Sequence, residues 1–147
     1  MTFQLVIDCA DPGVLVRFWA DALGYVPEPA PVGFPTWNAY WISRGLPEAE
    51  LDAERDSCDS IVDPKGLGPR IWFQMVPEGK EIKNRLHLDL DAGGGRETPL
   101  DTRRERIEAE ARRLVNAGAS RLRALQGAIG HYAVVMSDPE GNEFCLH

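Results

Sequence analysis

The segment NRLHLDLDA, Asn84–Ala92, alternates apolar and polar side chains with the period of a β-strand. Its leucines point to one side, and His87, Asp89 and Asp91 point to the other. The alternation predicts a strand with one face in a core and a polar face that carries a histidine between carboxylates. Three interpretations of His87 follow from this position: a metal ligand, a polar wall of a pocket, or an ordinary surface histidine.

The segments on either side predict an α+β protein. Asp11, Pro12 and Gly24 are placed to cap, start and end a helix, and a second helix is predicted from Asp101 to Gly118. Residues 46–69 are acidic and broken by proline and glycine, which predicts a long loop. The predicted strands are residues 3–9, 37–44, 70–76, 84–92, 121–126, 131–137 and 143–147.

Both halves of the chain repeat the same order of elements. When QLVID is set beside HLDLD, Leu5 aligns with Leu88 and Ile7 with Leu90. We interpret this as an internal duplication of a β-α-β-β-β unit, with modules at residues 1–78 and 84–147 of a single domain. If the helix of each module covers one face of its sheet, the other face is left for the opposite module or for a ligand.

Alternation places several polar and aromatic side chains on these open faces. If the two sheets curl into one cup, Gln4, Gln74, His87 and Cys145 converge at its floor. The aromatic residues of the first module, among them Trp41 and Trp72, are expected either to line a ligand pocket or to fill the core. The other candidates on the open faces are Trp72, Trp41, Asp89, His131 and Glu143.

Composition excludes several classes of partner. The formal net charge of −7 disfavours binding to nucleic acid. The apolar runs are too short to cross a bilayer. The cysteines are odd in number, widely spaced and without a CxxC pair, which indicates reduced thiols in a cytoplasmic protein.

Three segments resemble the vicinal-oxygen-chelate superfamily, which includes glyoxalase I, extradiol dioxygenases, and bleomycin- and fosfomycin-resistance proteins. They are VIDCADPGVLVRFWADALGY, NRLHLDLD and VVMSDPEGNEFCLH, and together they cover nearly the whole chain. The Asp-Pro-x-Gly-Asn turn in the last segment is the most specific of these features. The resemblance is closest to the glyoxalase-like domain branch, and it implies two paired β-α-β-β-β modules around a cupped mixed sheet, with a homodimer as the assembly.

Metal-using members of the superfamily carry His or Gln, Glu, His and Glu as ligands. The resemblance places these ligands at Gln4, Gln74, His87 and Cys145, so neither family carboxylate is present. Glu143 lies two residues before Cys145, or about 6.6 Å along a strand, which is too far for it to act as the substitute. Gln4, His87 and Cys145 remain the candidate ligands for a divalent metal such as Zn, Ni, Fe or Mn, and the altered set also fits a protein without a metal.

Three functions remain open at this point. The first is an enzyme of lyase, isomerase or dioxygenase type acting on a small polar organic molecule, with His87 as ligand or general base and Glu143 as acid or base. The second is a metal-free protein that binds and sequesters a drug-like molecule. The third is a dimeric module with a degenerate pocket.

Overall fold

The computed structural model describes residues 3–51, 56–95, 97–127 and 131–147. The chain divides into two compact units, Met1–Gly79 and Lys80–His147. Each unit contains one four-stranded mixed sheet in which the first and last strands are parallel neighbours. This arrangement confirms the predicted α+β class and the repeated order of elements. No helix among the described residues combines the length and the apolar character needed to cross a membrane.

The first unit is built from four strands and two helices. Its sheet has the order β1-β4-β3-β2, and its core contains Leu15, Trp19, Ile61, Ile71 and Phe73. Its elements are β1 (Gln4–Cys9), α1 (Pro12–Leu23), β2 (Val26–Pro27), α2 (Trp37–Ser43), β3 (Ser60–Val62) and β4 (Arg70–Met75), with a short 3-10 helix at Glu48–Glu50.

Helix α1 has the boundaries that its sequence predicts. The Asp11 side chain accepts a hydrogen bond from the Val14 backbone N–H at 3.1 Å, and Pro12 occupies the first turn. Gly24 ends the helix with φ 66°, a left-handed conformation that glycine adopts without a steric penalty.

Two predictions in the first unit are wrong. Residues 37–44 form helix α2 and not a strand, because Thr36 caps the helix by accepting from the Ala39 N–H at 3.0 Å. One face of the helix carries three aromatic residues, Trp37, Tyr40 and Trp41, because their spacing is i, i+3, i+4. The missing strand is β3, which lies inside the predicted loop 46–69 and pairs with both β2 and β4. Residues 52–55 of that loop lie outside the described residues.

The second unit follows the predicted order of elements. Its sheet has the order β5-β8-β7-β6, and α3 packs on it through Ile107, Ala111 and Leu114. Its elements are β5 (Asp89–Leu90), α3 (Leu100–Asn116), β6 (Ser120–Gln126), β7 (Tyr132–Ser137) and β8 (Glu143–Leu146).

The strand predicted at residues 84–92 is much shorter than expected. Only Asp89 and Leu90 form β5. Upstream, the Asn84 backbone N–H donates to the Glu143 carboxylate at 3.0 Å and not to a strand carbonyl. Leu86, predicted to face the core, is 82% exposed. The alternating pattern therefore extends beyond the part of the segment that has a strand partner.

The predicted Asp-Pro-Glu-Gly-Asn turn joins β7 to β8. The buried Asp138 carboxylate accepts from the backbone N–H groups of Glu140 and Asn142, at 3.0 and 2.9 Å. Gly141 has φ 89°, which favours glycine at this position. The turn fixes the start of β8 and therefore the position of Cys145 on that strand.

A candidate ligand cluster and cavity in the second unit

The parallel pairing of β5 with β8 brings together the polar residues of the second unit. Asp89 is the register partner of Cys145. His87 precedes Asp89 by two residues, and its Nε2 lies 3.3 Å from Asp89 Oδ1. One ligand atom from each of His87, Asp89 and Cys145 lies within 4.8 Å of the other two. The predicted candidates His87, Asp89 and Cys145 thus form one cluster, and Asp89 is its central member.

The cluster lies in a cavity of about 500 Å³ within the second unit. All three histidines of the chain line this cavity, including the predicted candidate His131. The cavity therefore brings several imidazole and carboxylate groups together with the cation Arg103. Its polar lining comprises His87, Asp89, Asp91, Arg103, His131, Tyr132, Cys145 and His147.

The environment of Cys145 favours the neutral thiol. Burial raises the thiol pKa above its usual range, and the charge of Asp89 and the hydrogen bond to Asp89 raise it further. The thiol therefore carries its proton at neutral pH. A cation bound beside it would reverse this preference by stabilising the thiolate.

The first unit does not bring Gln4 and Gln74 together. In the parallel register of β1 and β4, Gln4 is opposite Arg70 and Gln74 is opposite Asp8. The two glutamines are therefore offset by four residues, or about 13 Å along the strands. The Gln4 side-chain oxygen accepts a hydrogen bond from Arg70 at 2.9 Å. A ligand pair made of these two glutamines is excluded by this register.

Trp72 and Trp41 belong to different surroundings. Trp72 lies on β4, where its indole N–H donates to Asp59 at 2.7 Å. Trp41 lies on α2 and lines a separate cavity of about 840 Å³ in the first unit. The prediction that the tryptophans share one open sheet face is therefore wrong, because residues 37–44 are helical.

The Glu143 carboxylate makes two contacts that position neighbouring residues. Its carboxylate accepts from the Asn84 N–H and forms an ion pair with Lys80 at 3.2 Å. The hydrogen bond from Asn84 is the main reason why the pKa of Glu143 is lowered, and Lys80 adds to it. Glu143 is not among the residues that line the cavity of the second unit. Its contacts favour a role in positioning residues 80–84 over one in proton transfer.

The comparison with known proteins agrees with the fold. The sequence profile of the glyoxalase-like domain matches residues 4–147. The chain belongs to the glyoxalase-like domain family. No curated protein matches the sequence.

Solved structures of low sequence identity share the fold of this glyoxalase-like protein. A glyoxalase/bleomycin resistance protein/dioxygenase family enzyme from Burkholderia phytofirmans PsJN aligns at TM-score 0.54 and 16% identity, covering 97% of this chain and 94% of its own. The FosX fosfomycin resistance protein from Listeria monocytogenes aligns at TM-score 0.58 and 9% identity, covering 98% and 86%. A hypothetical protein from S. aureus aligns at TM-score 0.56 and 12% identity, covering 99% and 95%.

The donor atoms of this glyoxalase-like protein suit zinc better than the harder cations. An imidazole, a carboxylate and a thiol match a three-ligand zinc site with an open fourth position. Mg²⁺ and Ca²⁺ prefer oxygen ligands throughout, and the facial triad of non-haem iron needs two histidines and a carboxylate. The cluster contains one histidine. The residues therefore fit a metal of the zinc class, with Asp89 as the carboxylate ligand.

The polar lining residues that were not among the predicted site residues include Asp91, Arg103 and His147. Asp91 shares the polar side of the Asn84–Ala92 alternation, so the sequence contained a signal for it. Arg103 sits on α3 amid many other charged residues, and nothing in the pattern of that helix distinguishes it. His147 joins the site through the pairing of its backbone N–H with Leu90, a contact between segments distant in sequence.

Proposed function

We propose that this glyoxalase-like protein is an enzyme of lyase or isomerase type that acts on a small polar organic molecule in the cavity of its second unit. In this proposal His87, Asp89 and Cys145 hold a divalent ion of the zinc class. The observation that carries the proposal is the approach of their three ligand atoms to within 4.8 Å, on the wall of a cavity of about 500 Å³.

The remaining residues of the cavity supply the functions that such an enzyme needs. A zinc ion held by His87, Asp89 and Cys145 would supply Lewis-acid chemistry at a substrate oxygen. His131 and His147 line the cavity outside the cluster and are placed to take or return a substrate proton. Arg103 is placed to orient an anionic group of the substrate. The single histidine in the cluster favours this chemistry over that of an iron dioxygenase.

Metal content measured on untagged protein tests the proposal. We expect about one equivalent of zinc per chain in the wild type and its loss in His87→Ala, Asp89→Ala and Cys145→Ala. Asp101→Ala, at an exposed position of α3 outside the residues that line the cavity, is the matched control and is expected to keep the metal. With Co²⁺ in place of zinc, a near-ultraviolet thiolate band that disappears in Cys145→Ser reports the sulfur ligand without any activity assay. The proposal is wrong if the protein contains no metal as purified and also retains none after Zn²⁺, Mn²⁺, Fe²⁺ or Ni²⁺ has been added.

One observation favours a second candidate, a metal-free binding protein of the bleomycin-resistance type. Asp89 already contacts His87 at 3.3 Å and accepts a hydrogen bond from Cys145, so the cluster is satisfied by its own members. In that case His87 and Asp89 hydrogen-bond the ligand directly. Thermal shifts produced by a library of polar small molecules separate the two functions: shifts unchanged by EDTA support binding without metal, and shifts abolished by EDTA support the metal site.

We also propose that the protein forms a homodimer. Large apolar side chains remain exposed in both units, among them Phe3, Met75, Ile82 and Leu86. Burial of such side chains against a second copy is favourable because it removes apolar surface from water. Light scattering coupled to gel filtration is expected to give twice the chain mass of 16.3 kDa. A mass of one chain at micromolar concentration would contradict the assembly.

A further inference from the structure

The first unit contains a second and larger cavity, of about 840 Å³, that the proposed function does not use. It is lined by the start of α1, by α2 and by Phe73 and Met75 of β4. Phe73 and Met75 alternate with Trp72 and Gln74 along the strand, so they project from the opposite face of the sheet. The volume lies in the range of sites that enclose a drug-sized molecule.

Aromatic side chains form one wall of this cavity without filling it. Helix α2 has no buried residue, although three of its seven residues are aromatic. Its rings pack on one another: Trp41 stacks on Trp37 at 6.0 Å and meets Tyr40 at 5.1 Å. Phe34 and Trp41 face the cavity, whose floor includes the fully buried Phe73. Flat rings therefore remain accessible to a ligand.

The charged groups of the lining are mainly carboxylates. Among the described residues that line the cavity, the acidic ones are Asp11, Asp56, Asp59 and Glu28, and Arg17 is the single cation. Glu28 is neutralised by an ion pair with Arg70 at 2.6 Å. Asp11, Asp56 and Asp59 accept hydrogen bonds from the Val14 N–H, the Asn38 N–H and the Trp72 indole N–H, which orient the carboxylates.

Two of these carboxylates, Asp56 and Asp59, lie within two residues of Cys58 in the chain. Asp59 and Asp56 flank Cys58, and their charges add to the burial that raises the pKa of the Cys58 thiol. Asp59 is half-buried and is held by the Trp72 indole N–H at 2.7 Å. A fixed negative charge therefore lies beside the aromatic wall.

We propose that the cavity of the first unit binds an organic cation with a flat aromatic body, such as a protonated or quaternary aromatic amine of drug size. The ring of the ligand stacks on Trp41 and Phe34, and its positive charge is held by Asp59 and by the faces of the aromatic rings. An anion of the same shape is repelled by the carboxylates. The site does not depend on the proposed enzymatic function, because all its residues belong to the first unit.

A fluorescence titration with proflavine, a planar aromatic cation, tests this site in the full-length protein. We expect saturable quenching of tryptophan fluorescence in the wild type, with an affinity that falls as salt is added. Trp41→Ala is expected to weaken binding about tenfold, since it removes the stacking wall. The anionic dye 1-anilinonaphthalene-8-sulfonate is expected to bind more weakly than proflavine.

Charge is tested separately from stacking. Asp59→Asn keeps an acceptor for the Trp72 indole and removes the negative charge, so we expect it to weaken proflavine binding several-fold. The matched control is Asp21→Asn, an exposed position of α1 outside the cavity, which is expected to have no effect. His87→Ala is expected to bind proflavine like the wild type, so loss of the metal site and loss of this site are distinguishable.

Two results would overturn the cation site: wild-type proflavine affinity in a folded Trp41→Ala protein, or equal effects of Asp59→Asn and Asp21→Asn. Circular dichroism establishes that each variant is folded. If Trp41→Ala does not fold, Trp41→Phe replaces it and the Asp59→Asn comparison decides the outcome. Tighter binding of the anionic dye than of proflavine would also contradict the proposal.

Discussion

Asp89 is the residue on which the properties of the cavity in the second unit depend. It contacts His87 at 3.3 Å and is the register partner of Cys145. Its negative charge disfavours the Cys145 thiolate and favours a bound cation. The same carboxylate therefore keeps the thiol protonated when no cation is bound and supplies an oxygen ligand when one is.

The reactivity of Cys145 is expected to follow from this contact. Because its pKa is raised, Cys145 in the metal-free protein is expected to react slowly with iodoacetamide at pH 7 to 8 and faster at higher pH. Asp89→Asn removes a nearby negative charge, so it lowers the thiol pKa and increases the rate near pH 8. Peptide mapping by mass spectrometry separates Cys145 from Cys9 and Cys58. An unchanged pH–rate profile in Asp89→Asn would contradict this account.

Glu108 provides a pH-dependent contribution to stability on the outer side of the second unit. Its carboxylate accepts two hydrogen bonds from Arg121, at 2.6 and 2.9 Å, and one from the Tyr132 hydroxyl. The Arg121 contact, followed by that of Tyr132, lowers its pKa from the ordinary 4.5 to about 2. Since the folded pKa lies below the unfolded one, the stabilisation is complete above pH 4.5 and is lost as the pH falls towards 2.

Replacement of Glu108 is expected to show this dependence. Glu108→Gln is expected to lower stability at pH 7 by about 1 kcal/mol, or about 3 °C in Tm, because a partly exposed bidentate pair is lost. The difference from the wild type is expected to shrink progressively between pH 5 and pH 2. Thermal denaturation followed by circular dichroism at several pH values measures it. A difference that stays constant down to pH 2 would show that the charge of Glu108 is not responsible.

Some elements of the first unit are set by local sequence signals, and others are set by tertiary contacts. Helix α1 carries an N-cap, a first-turn proline and a terminal glycine, and its boundaries follow directly from them. Helix α2 carries a cap at Thr36, but it is also rich in aromatic residues, which favour strands, so both a strand and a helix fit its sequence. Strand β3 is only three residues long and is held by two neighbouring strands that are distant in sequence.

The end of α1 offers a test of a single backbone conformation. A Cβ added at Gly24 meets no atom within 4 Å, so Gly24→Ala changes only the cost of the left-handed conformation at φ 66°. That cost is about 1 kcal/mol, and the expected decrease in Tm is about 3 °C. Gly79→Ala is the matched control, because its Cβ also meets nothing and its φ is not positive. Equal Tm values for the two variants would contradict a left-handed backbone conformation at residue 24.

The whole chain consists of two units, each with its own sheet and core. Trp19 and Phe73 are fully buried in the first unit, and Phe144 and Leu114 are fully buried in the second. Separate cores allow local unfolding of one unit to occur without the other. The boundary after Gly79 lies near the end of the module predicted at residues 1–78, and the assignment of both modules to a single domain stays a prediction.

A core substitution in one unit tests how far the units open independently. Phe144→Ala is expected to destabilise the protein by about 3 to 5 kcal/mol because it leaves a cavity in the second core. Hydrogen exchange is expected to accelerate more in β7 and β8 than in β1 and β4. Glu105→Ala changes an exposed position of α3 and is expected to change neither stability nor exchange measurably. Equal acceleration in both units would show that they open as one.

The sequence by itself determined the α+β class, the caps of α1, the Asp138–Asn142 turn and the polar side of residues 87–91, because each depends on neighbours along the chain. It also indicated His87, two residues before β5, and Cys145 on the neighbouring strand β8. Only the tertiary structure decided that Asp89 joins them, that Gln4 and Gln74 lie apart, and that α2 lines a cavity. These outcomes depend on strand register and on packing between distant segments, and a shift of one residue in register exchanges the faces of a strand.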